Sequence, residues 1–316
     1  MRVLVTGGCG LIGSALVERA LRDGWDVSVL DNLSTGRREH LPADDRIELI
    51  EGDVCDDELV ASLVRRCDRV AHLAAGVGVA LVLNRPTGSL RQSLLGTETV
   101  LRHAAAHRRP VFFASTSEVY GDSDGTPLRE DANIGFGSPE KTRFSYAAGK
   151  TAGEALAFAY AHEYGLPVVV GRFFNVTGAR QSAASGVVPK LLELAQAGQP
   201  LIVHGDGAQT RSFLDAEDAA EFVWRLLLGA SGGLLCNIGR DESVTMRALA
   251  ERVRELVDPS IELVHAEPDY GDGFAPIRHR RPDCARLLEH TQFEPRWDLD
   301  AILRRCLSYC ERSHAK

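Results

Sequence analysis

The sequence lacks the features that mark membrane, secreted and nucleic-acid-binding proteins. No apolar run approaches the length of a membrane span, and the chain passes from Met1 directly into a strand-like segment without a charged and then apolar leader. The formal net charge of −8 shows no excess of basic residues, which argues against nucleic acid as the main partner. We therefore expect a soluble, cytoplasmic protein that binds neither nucleic acid nor membrane.

The cysteines lack the spacing of a disulfide framework or of a metal site. Seven are scattered through 316 residues, with no Cys-x-x-Cys pair and no metal-like spacing to histidine. We expect reduced thiols and no bound metal. The sequence also lacks internal repeats, low-complexity tracts and long linkers, so its length suits one large domain with a smaller lobe.

Short apolar runs alternate with helical stretches through the first half of the chain. This alternation predicts right-handed βαβ units and a parallel sheet covered by helices on both faces, an α/β doubly wound fold of the Rossmann type. The strand-like runs are 3–5, 27–30, 47–50, 69–73, 111–114 and 168–170, and a further strand is predicted at 261–264 in the second half of the chain. We place this domain at residues 1–175, expect about 206–238 to return to it, and assign 176–316 mainly to a smaller C-terminal substrate-binding lobe.

A glycine-rich turn follows the first predicted strand. Gly7, Gly10 and Gly13 lie in the run Thr-Gly-Gly-Cys-Gly-Leu-Ile-Gly, and a helix is predicted to begin near Ile12. Backbone N–H groups and the positive end of the helix dipole converge at such a turn, which suits a pyrophosphate. Glycine is needed because a Cβ would clash in the turn or hold the phosphates away. The pattern predicts a dinucleotide site.

Asp31 ends the second predicted strand, roughly 20 residues beyond the glycine turn. A carboxylate at this place can accept both hydroxyls of an adenosine ribose and would repel a 2′-phosphate, so NAD is favoured over NADP. Arg37 and Arg38 follow closely and keep NADP open as an alternative. We interpret these two arginines as part of a solvated loop.

Tyr146 and Lys150 lie four residues apart at the head of a long predicted helix. Residues i and i+4 share a helix face, so the ammonium can lie beside the phenol, lower its pKa and also hold the nicotinamide ribose. Such a tyrosine can act as a base toward a substrate hydroxyl. A cluster of Ser, Thr and Glu at 115–118 follows a predicted strand, and open α/β sheets place ligands at the carboxyl ends of strands.

Together these motifs resemble the extended short-chain dehydrogenase/reductase family, in particular its NAD-dependent nucleotide-sugar epimerases, dehydratases and decarboxylases. The resemblance covers nearly the whole chain. Besides the glycine turn, Asp31, Tyr146 and Lys150, it rests on Gly52-Asp53-Val54, His72-Leu73-Ala74-Ala75, Ser115 to Gly121, Arg172-Phe173-Phe174-Asn175, His204 to Phe213 and Arg280-Arg281-Pro282-Asp283.

The resemblance and the motifs together predict the site residues. In the family, the position of Asn175 touches the nucleotide-sugar diphosphate, and the arginine that matches Arg211 clamps it. The predicted catalytic residues are Thr116, Glu118, Tyr146, Lys150 and Arg280. The predicted substrate-binding residues are Thr116, Ser117, Glu118, Asn175, Val188, Gln209, Arg211 and Arg280. The predicted NAD-binding residues are Gly7, Gly10, Leu11, Ile12, Gly13, Asp31, Asn32, Ser34, Thr35, Gly36, Asp53, Val54, Leu73, Ala74, Ala75, Tyr146, Lys150, Phe173 and Arg180.

Ser117 and Glu118 help to separate the subfamilies, which all begin by oxidising the sugar at C4. The 4,6-dehydratases usually carry an Asp-Glu pair here, which Ser117 breaks, and simple 4-epimerases usually lack the glutamate. The chain is similar to UDP-glucuronate decarboxylases at 116–118, 209–213 and 280–283. In that group the arginine that matches Arg280 faces the substrate carboxylate. The structural alternative is that Arg280 pairs with Asp283 or Glu267 on the surface of the lobe.

The resemblance therefore favours a UDP-glucuronate decarboxylase that releases UDP-xylose or its 4-keto precursor. A nucleotide-sugar 4-epimerase acting on UDP-glucuronate or UDP-glucose is the first alternative. A 4,6-dehydratase is the second, and a non-catalytic NAD-sensing protein is the third. The expected partner is a small nucleotide sugar.

The sequence departs from the family pattern at several positions. Ser93 stands where many family members have asparagine, Gly149 replaces a common serine or alanine, and the loop 75–80 is small and apolar.

The predicted helices at about 92–107 and 147–164 carry small and apolar residues suited to close helix contacts, so we expect a homodimer.

Overall fold

A parallel sheet forms the centre of the protein in the computed structural model, which describes residues 1–75, 86–138, 140–141, 144–267 and 277–314. The strands are β1 (Arg2–Thr6), β2 (Asp26–Asp31), β3 (Ile47–Glu51), β4 (Arg69–His72), β5 (Val111–Thr116), β6 (Val168–Phe173), β7 (Asn175–Thr177), β8 (Leu201–His204), β9 (Thr210–Arg211), β10 (Phe213–Asp215), β11 (Gly233–Ile238), β12 (Val244–Thr245), β13 (Leu263–Ala266) and β14 (His279–Arg280).

Helices cover this sheet and build the second lobe. They are α1 (Leu11–Arg22), α2 (Asp57–Arg66), α3 (Pro86–Arg91), α4 (Thr97–His107), α5 (Phe144–Tyr164), α6 (Val187–Gln196), α7 (Ala216–Leu228), α8 (Met246–Val257), α9 (Ala285–Thr291) and α10 (Leu299–His314). Short 3-10 turns occur at Arg38–His40 and Ser117–Tyr120, and a π-helical turn lies at Gln92–Gly96. Within the described residues, no helix is both long enough and apolar enough to cross a membrane.

The central sheet has seven strands in the order β3-β2-β1-β4-β5-β6-β11, and every neighbouring pair is parallel. The strand order reverses between β1 and β4, and ligands of such sheets bind outside the carboxyl ends of the strands at that point. In register, Thr6 pairs with His72 and Thr116 pairs with Phe173, so the ends of these strands are aligned. The predicted doubly wound α/β fold is confirmed.

Two apolar layers hold helices onto the two faces of the sheet. On one face α1 and α7 bury Leu16, Phe222 and Trp224 completely, and the Trp224 ring meets Trp25 edge to face with centroids 5.1 Å apart. On the other face α2, α4 and α5 pack against a second cluster that includes Phe113. Each large side chain buried in this way stabilises the fold by about 1.5–3 kcal/mol before the entropic costs are counted.

The chain leaves the central sheet and later returns to it. After β6 it forms β7 and α6, and then α7 packs on α1 and β11 pairs with β6. The second lobe packs α6, α8 and α10 around its own core, where Leu192, Leu249 and Ile302 are fully buried. The domain boundaries expected from the sequence stay a prediction.

Two predicted elements differ from those observed. The helix expected at 92–107 begins as the π-helical turn and becomes regular only at Thr97. The strand predicted at 261–264 lies at 263–266, because the amide of Ile261 closes a turn onto the carbonyl of Asp258 and pairing with β8 starts at Leu263. Beyond position 75, the apolar loop lies outside the described residues.

Candidate active site

The glycine turn has the shape of a phosphate cradle. Gly7 has a φ of +72°, and its amide donates to the carbonyl of Leu30 at 2.8 Å. A Cβ on Gly7 would lie 2.8 Å from the backbone nitrogen of Ala74, and one on Gly13 would lie 2.1 Å from the Gly7 oxygen. Only glycine lets the turn, β4 and α1 approach this closely. The cradle thus fits the pyrophosphate of a dinucleotide at the N-terminus of α1.

Asp31 stands beside this turn at the end of β2 and is 7% exposed. One carboxylate oxygen accepts the amide of Cys9 and the other accepts the amide of Leu33, both at 2.9 Å. Each oxygen keeps a lone pair, so the carboxylate can still accept ribose hydroxyls. Gly36 leaves room here, because a Cβ on it would lie 3.0 Å from the carboxylate.

Arg37 and Arg38 occur as the solvated loop that we expected. Arg38 pairs with Glu51, and a nitrogen of Arg37 lies 3.8 Å from Glu39. Both arginine side chains are exposed, at 64% and 59%. Their charges are engaged by neighbouring carboxylates, which suits a cofactor without a 2′-phosphate.

Other predicted cofactor residues line the same edge of the sheet. The amides of Leu73 and Ala74 donate to the backbone oxygen and the hydroxyl of Thr6, at 3.1 and 3.2 Å. Asp53 accepts the amide of Cys55 at 2.8 Å. The side chain of Asn32 accepts the amide of Ser34 at 3.1 Å, and Val54 is buried against Gly96. Arg180 instead pairs with Glu18 and contacts Ser14 on α1, so its charge is already engaged there.

Tyr146 and Lys150 lie on the first turns of α5, above the ends of β5 and β4. Lys150 is 2% exposed, and its ammonium donates to the carbonyl of Ala114 at 2.6 Å. The same nitrogen lies 6.0 Å from the centre of the Tyr146 ring and 4.9 Å from that of Phe113. The structure therefore brings the predicted tyrosine and lysine together.

The pKa of Tyr146 departs from the expected direction. Burial raises it, the negative charge of Glu118 raises it further, and a hydrogen bond with Thr116 acts in the opposite sense. Burial also lowers the pKa of Lys150 to about 8, which the charge of Glu154 partly opposes. The Lys150 ammonium donates to the carbonyl of Ala114, and the charge that acts on the pKa of the Tyr146 phenol is the carboxylate of Glu118.

An ion pair joins the two lobes at this point. Arg280 of β14 is 6% exposed, and its Nη1 donates to Glu118 at 2.8 Å and to the hydroxyl of Ser117 at 3.3 Å. Among the residues that the structure describes, the buried Nε of Arg280 has no hydrogen-bond partner. Arg280 therefore pairs within the site and not with Asp283 or Glu267, and one of its donors stays available to a ligand.

The remaining predicted substrate residues lie on the second lobe or, for Asn175, at the start of β7 directly after β6. Arg211 pairs in register with Arg280, and its guanidinium donates to the carbonyls of Thr210 and Ile277 at 2.8 and 2.9 Å. The side chain of Asn175 donates to the carbonyl of Ser212 at 3.1 Å. Gln209 donates to the carbonyl of His204 at 3.0 Å, and Val188 is buried in the core of the lobe. The predicted roles of these residues in substrate binding stay predictions.

The sequence predicted no role for the polar residues beneath Lys150, although His72 and Arg172 belong to motifs that carry the family resemblance. Glu154 forms a buried, two-pronged ion pair with Arg172 of β6. His72 of β4 lies between the hydroxyls of Thr6 and Thr97 at 2.8 and 3.2 Å, and burial and the Lys150 charge lower its pKa to about 3. The spacing of four residues between Lys150 and Glu154 was the available signal.

Two departures from the family pattern lie against each other. A Cβ on Gly149 would lie 3.1 Å from the Cβ of Ser93 and 3.2 Å from a methyl carbon of Leu90. Ser93 is 2% exposed, and its hydroxyl has no hydrogen-bond partner among the described residues. Within the described residues, no cluster of three or more His, Cys, Asp or Glu side chains has the arrangement of a metal site.

Comparison with known proteins gives full-length matches. The sequence profile of the NAD dependent epimerase/dehydratase family matches residues 3–239. The chain is 36% identical over 300 residues to UDP-N-acetyl-alpha-D-glucosaminuronate decarboxylase of Bacillus cytotoxicus, covering 93% of this chain and 92% of that protein. It is 35% identical over 301 residues to UDP-glucuronic acid decarboxylase 3 of Arabidopsis thaliana, covering 94% and 85%.

Solved structures with the same fold include epimerases. UDP-glucose 4-epimerase of Thermus thermophilus in complex with NAD superposes with a TM-score of 0.87 and 30% identity, covering 98% of this chain and 99% of that one. UDP-glucose 4-epimerase of Thermotoga maritima with UDP-glucose gives 0.90 and 27%, covering 99% and 100%.

Proposed function

Because the chain belongs to the NAD-dependent epimerase/dehydratase family, we propose that it is a UDP-glucuronate decarboxylase. Membership confirms the resemblance found in the motifs, the prediction of an enzyme of this family and the prediction of NAD as cofactor. One observation carries the choice of reaction: the buried Arg280 reaches Glu118 and Ser117 at the end of β5. The Arg280 cation suits a substrate carboxylate and so favours a uronate over a neutral sugar. Glu118 beside it favours decarboxylation over simple 4-epimerisation, because simple 4-epimerases usually lack this glutamate.

The first step is proton removal from the sugar C4 hydroxyl. NAD, when bound in the glycine cradle, supplies the acceptor for the C4 hydride. Tyr146 takes the hydroxyl proton, and its hydrogen bond with Thr116 orients the phenol. Lys150 would hold the nicotinamide ribose, and its positive charge favours the tyrosinate once the ligands are in place.

The second step breaks the C5–C6 bond. With a ketone at C4, the C6 carboxylate is a β-keto acid, so the bonding electron pair can move into an enolate as carbon dioxide leaves. Arg280 holds the carboxylate in the geometry that permits this loss. Glu118 and Thr116 orient the sugar, and Glu118 manages the proton that C5 receives through a water. Return of the hydride to C4 then gives UDP-xylose, and earlier release gives the 4-keto sugar.

Mass spectrometry of the product tests this proposal. The protein is incubated with NAD and UDP-glucuronate, and we expect a product lighter by one carbon dioxide. Tyr146→Phe should produce neither NADH absorbance nor carbon dioxide, because the base is removed before the first step. A product of unchanged mass would contradict the proposal and identify a 4-epimerase, the activity named in the similar solved structures.

The substituent at the sugar C2 is a second variable. The relative from Bacillus cytotoxicus is named for a substrate with an N-acetyl group, whereas the plant relative is named for UDP-glucuronic acid. Parallel assays with UDP-glucuronate and UDP-N-acetylglucosaminuronate decide between them by the ratio of kcat/KM. We expect the larger value for UDP-glucuronate, and the reverse ratio would reassign the substrate within the same chemistry.

The protein is further proposed to act as a homodimer through α4 and α5. Ala155 and Ala159 are exposed on α5, and Leu95, in the turn before α4, is 48% exposed. Small residues of this kind let helices approach closely. Sedimentation at micromolar concentration should show a dimer that Ala155→Arg dissociates and that Ala43→Arg, in the loop after β2, does not. A monomeric wild type would contradict the assignment.

We also propose a cytoplasmic location. All seven cysteines are free thiols, which suits a reducing compartment. Fractionation of the source cells should recover the protein with cytoplasmic markers. Recovery with the membrane or extracellular fraction would contradict the proposal.

A further inference from the structure

The buried carboxylate of Glu154 lies one helical turn beyond Lys150. Arg172 grips it with two hydrogen bonds, from Nε to Oε1 at 2.9 Å and from Nη2 to Oε2 at 2.7 Å. The hydroxyl of Ser115 also donates to Oε1. Glu154 and Arg172 are 5% and 4% exposed, so both charges are held away from water. The carboxylate is therefore fixed between α5, β5 and β6.

Arg172 is fixed as firmly as the carboxylate it binds. Its guanidinium lies over the ring of Tyr120, 4.6 Å from the centre, and its Nη1 donates to the carbonyl of Glu130 at 3.3 Å. The phenol of Tyr120 donates to Asn237 at 2.7 Å. These neighbours hold the guanidinium against the Glu154 carboxylate.

We propose that Glu154 is a positioning residue that keeps the Lys150 side chain charged, and that Arg172 limits this effect by sharing the carboxylate. The catalytic meaning of the proposal rests on the role of Lys150 in the proposed function. The electrostatic effect does not depend on the proposed function, because the buried charges of Lys150, Glu154 and Arg172 are present whatever reaction the protein catalyses. A buried ammonium is disfavoured unless a negative charge compensates it, and a cation beside that negative charge weakens the compensation.

Among the titratable groups around Lys150, Glu154 is the one that stabilises the charged form of the lysine. Burial lowers the pKa of the lysine to about 8, and the charge of Glu154 is the one that raises it. His72 stays neutral beneath the lysine because its own pKa is lowered to about 3. The groups that face this region from the packed elements are Tyr146 and Glu154 on α5, His72 on β4, Glu118 after β5, and Arg172 on β6.

The small number of lysines makes a direct measurement possible. The chain has only Lys141, Lys150, Lys190 and Lys316, so protein labelled with 13C at the lysine ε-carbon gives four signals whose shifts report protonation. A Lys150→Met variant assigns the signal of interest. In the wild type we expect this signal to titrate near pH 8.

Removal of the Glu154 charge and removal of the Arg172 charge should shift the Lys150 titration in opposite directions. Glu154→Gln leaves Arg172 uncompensated and should lower the Lys150 midpoint by about one pH unit or more. Arg172→Gln frees the carboxylate for Lys150 and should raise the midpoint by about the same amount. The double variant should return close to the wild type. Glu163→Gln, which removes the same charge from the exposed end of α5, is the matched control and should change nothing.

Unchanged midpoints, or shifts of the same sign in both single variants, would overturn the proposal. Arg172→Lys keeps the charge and should leave the midpoint nearly unchanged, so it separates charge from packing. If one single variant fails to fold, the other decides alone, with Arg172→Lys as its reference. Failure of the wild type to decarboxylate UDP-glucuronate would refute the proposed function and leave this result standing. If both proposals hold, the alkaline limb of NADH formation should follow the Lys150 midpoint.

Discussion

Two arginine–carboxylate pairs lie on either side of Tyr146 and Lys150, and they are built differently. Glu154 and Arg172 meet through two hydrogen bonds within the sheet domain. Glu118 and Arg280 meet through a contact of 2.8 Å between the two lobes, and the Nε of Arg280 finds no hydrogen-bond partner in the part of the chain that the structure describes.

The difference suggests that one ion pair keeps a fixed geometry, whereas the other can exchange its carboxylate partner for that of a ligand. A pair whose donors are all satisfied has nothing to gain from a ligand, so it keeps one geometry. A pair with a buried unused donor gains a hydrogen bond when a carboxylate enters, which offsets part of the cost of separating its charges. The first pair fixes α5 against the sheet, and the second is suited to exchange its carboxylate partner during the proposed turnover.

The largest effect is expected from breaking the satisfied pair. Glu154→Ala leaves the Arg172 guanidinium buried and unpaired, which should lower the free energy of unfolding by about 3–5 kcal/mol. Urea denaturation followed by circular dichroism measures it. A loss below about 1 kcal/mol would show that water reaches the pair and would erase the contrast between the two pairs.

Breaking the open pair should affect turnover more than folding. Arg280→Ala removes the contact to the substrate carboxylate and should lower kcat/KM for UDP-glucuronate on the order of 10²-fold or more, the scale of a misplaced reacting group. Its effect on unfolding should be smaller than that of Glu154→Ala. Conversion at the wild-type rate would remove the main support for decarboxylation.

The buried imidazole of His72 lies between two hydroxyl groups and is held in its neutral form, because its pKa is lowered. Because the pKa of His72 is about 3 in the folded protein and 6.5 when free, the unfolded chain binds more protons between these values, and stability falls as the pH falls through this window. From pH 6.5 to pH 5 the loss due to His72 is about 2 kcal/mol. Denaturation curves at these pH values should show that the free energy of unfolding depends less steeply on pH in His72→Gln than in the wild type. Equal slopes in both proteins would contradict a neutral buried histidine.

The smallest effect is expected beside Lys150. Gly149→Ala gains helix propensity of up to about 1 kcal/mol, but the added Cβ presses on Ser93 and Leu90 at a similar cost, so unfolding should change by less than about 0.5 kcal/mol. Thermal denaturation measures the difference. A clear stabilisation would show that the contact yields easily.

Local patterns predicted the parts of the site that are local. The glycine turn, Asp31 and the pair of Tyr146 and Lys150 follow from strand ends and helix spacing, and the structure places them at one edge of the sheet. The partner of Arg280 could not be predicted from spacing, because Glu118 is 162 positions away and closer acids compete for it in the sequence. The pKa direction at Tyr146 also depends on that distant arrangement.

The return of the chain to the central sheet has a consequence for its assembly. The edge strand β11 and the helix α7 that covers α1 come after α6 and β8 of the other lobe. A nascent chain cannot complete the cofactor half until position 238 has left the ribosome, by which time part of the second lobe is already exposed. Folding of the two halves is therefore interleaved in time, and a cut between them leaves neither half whole.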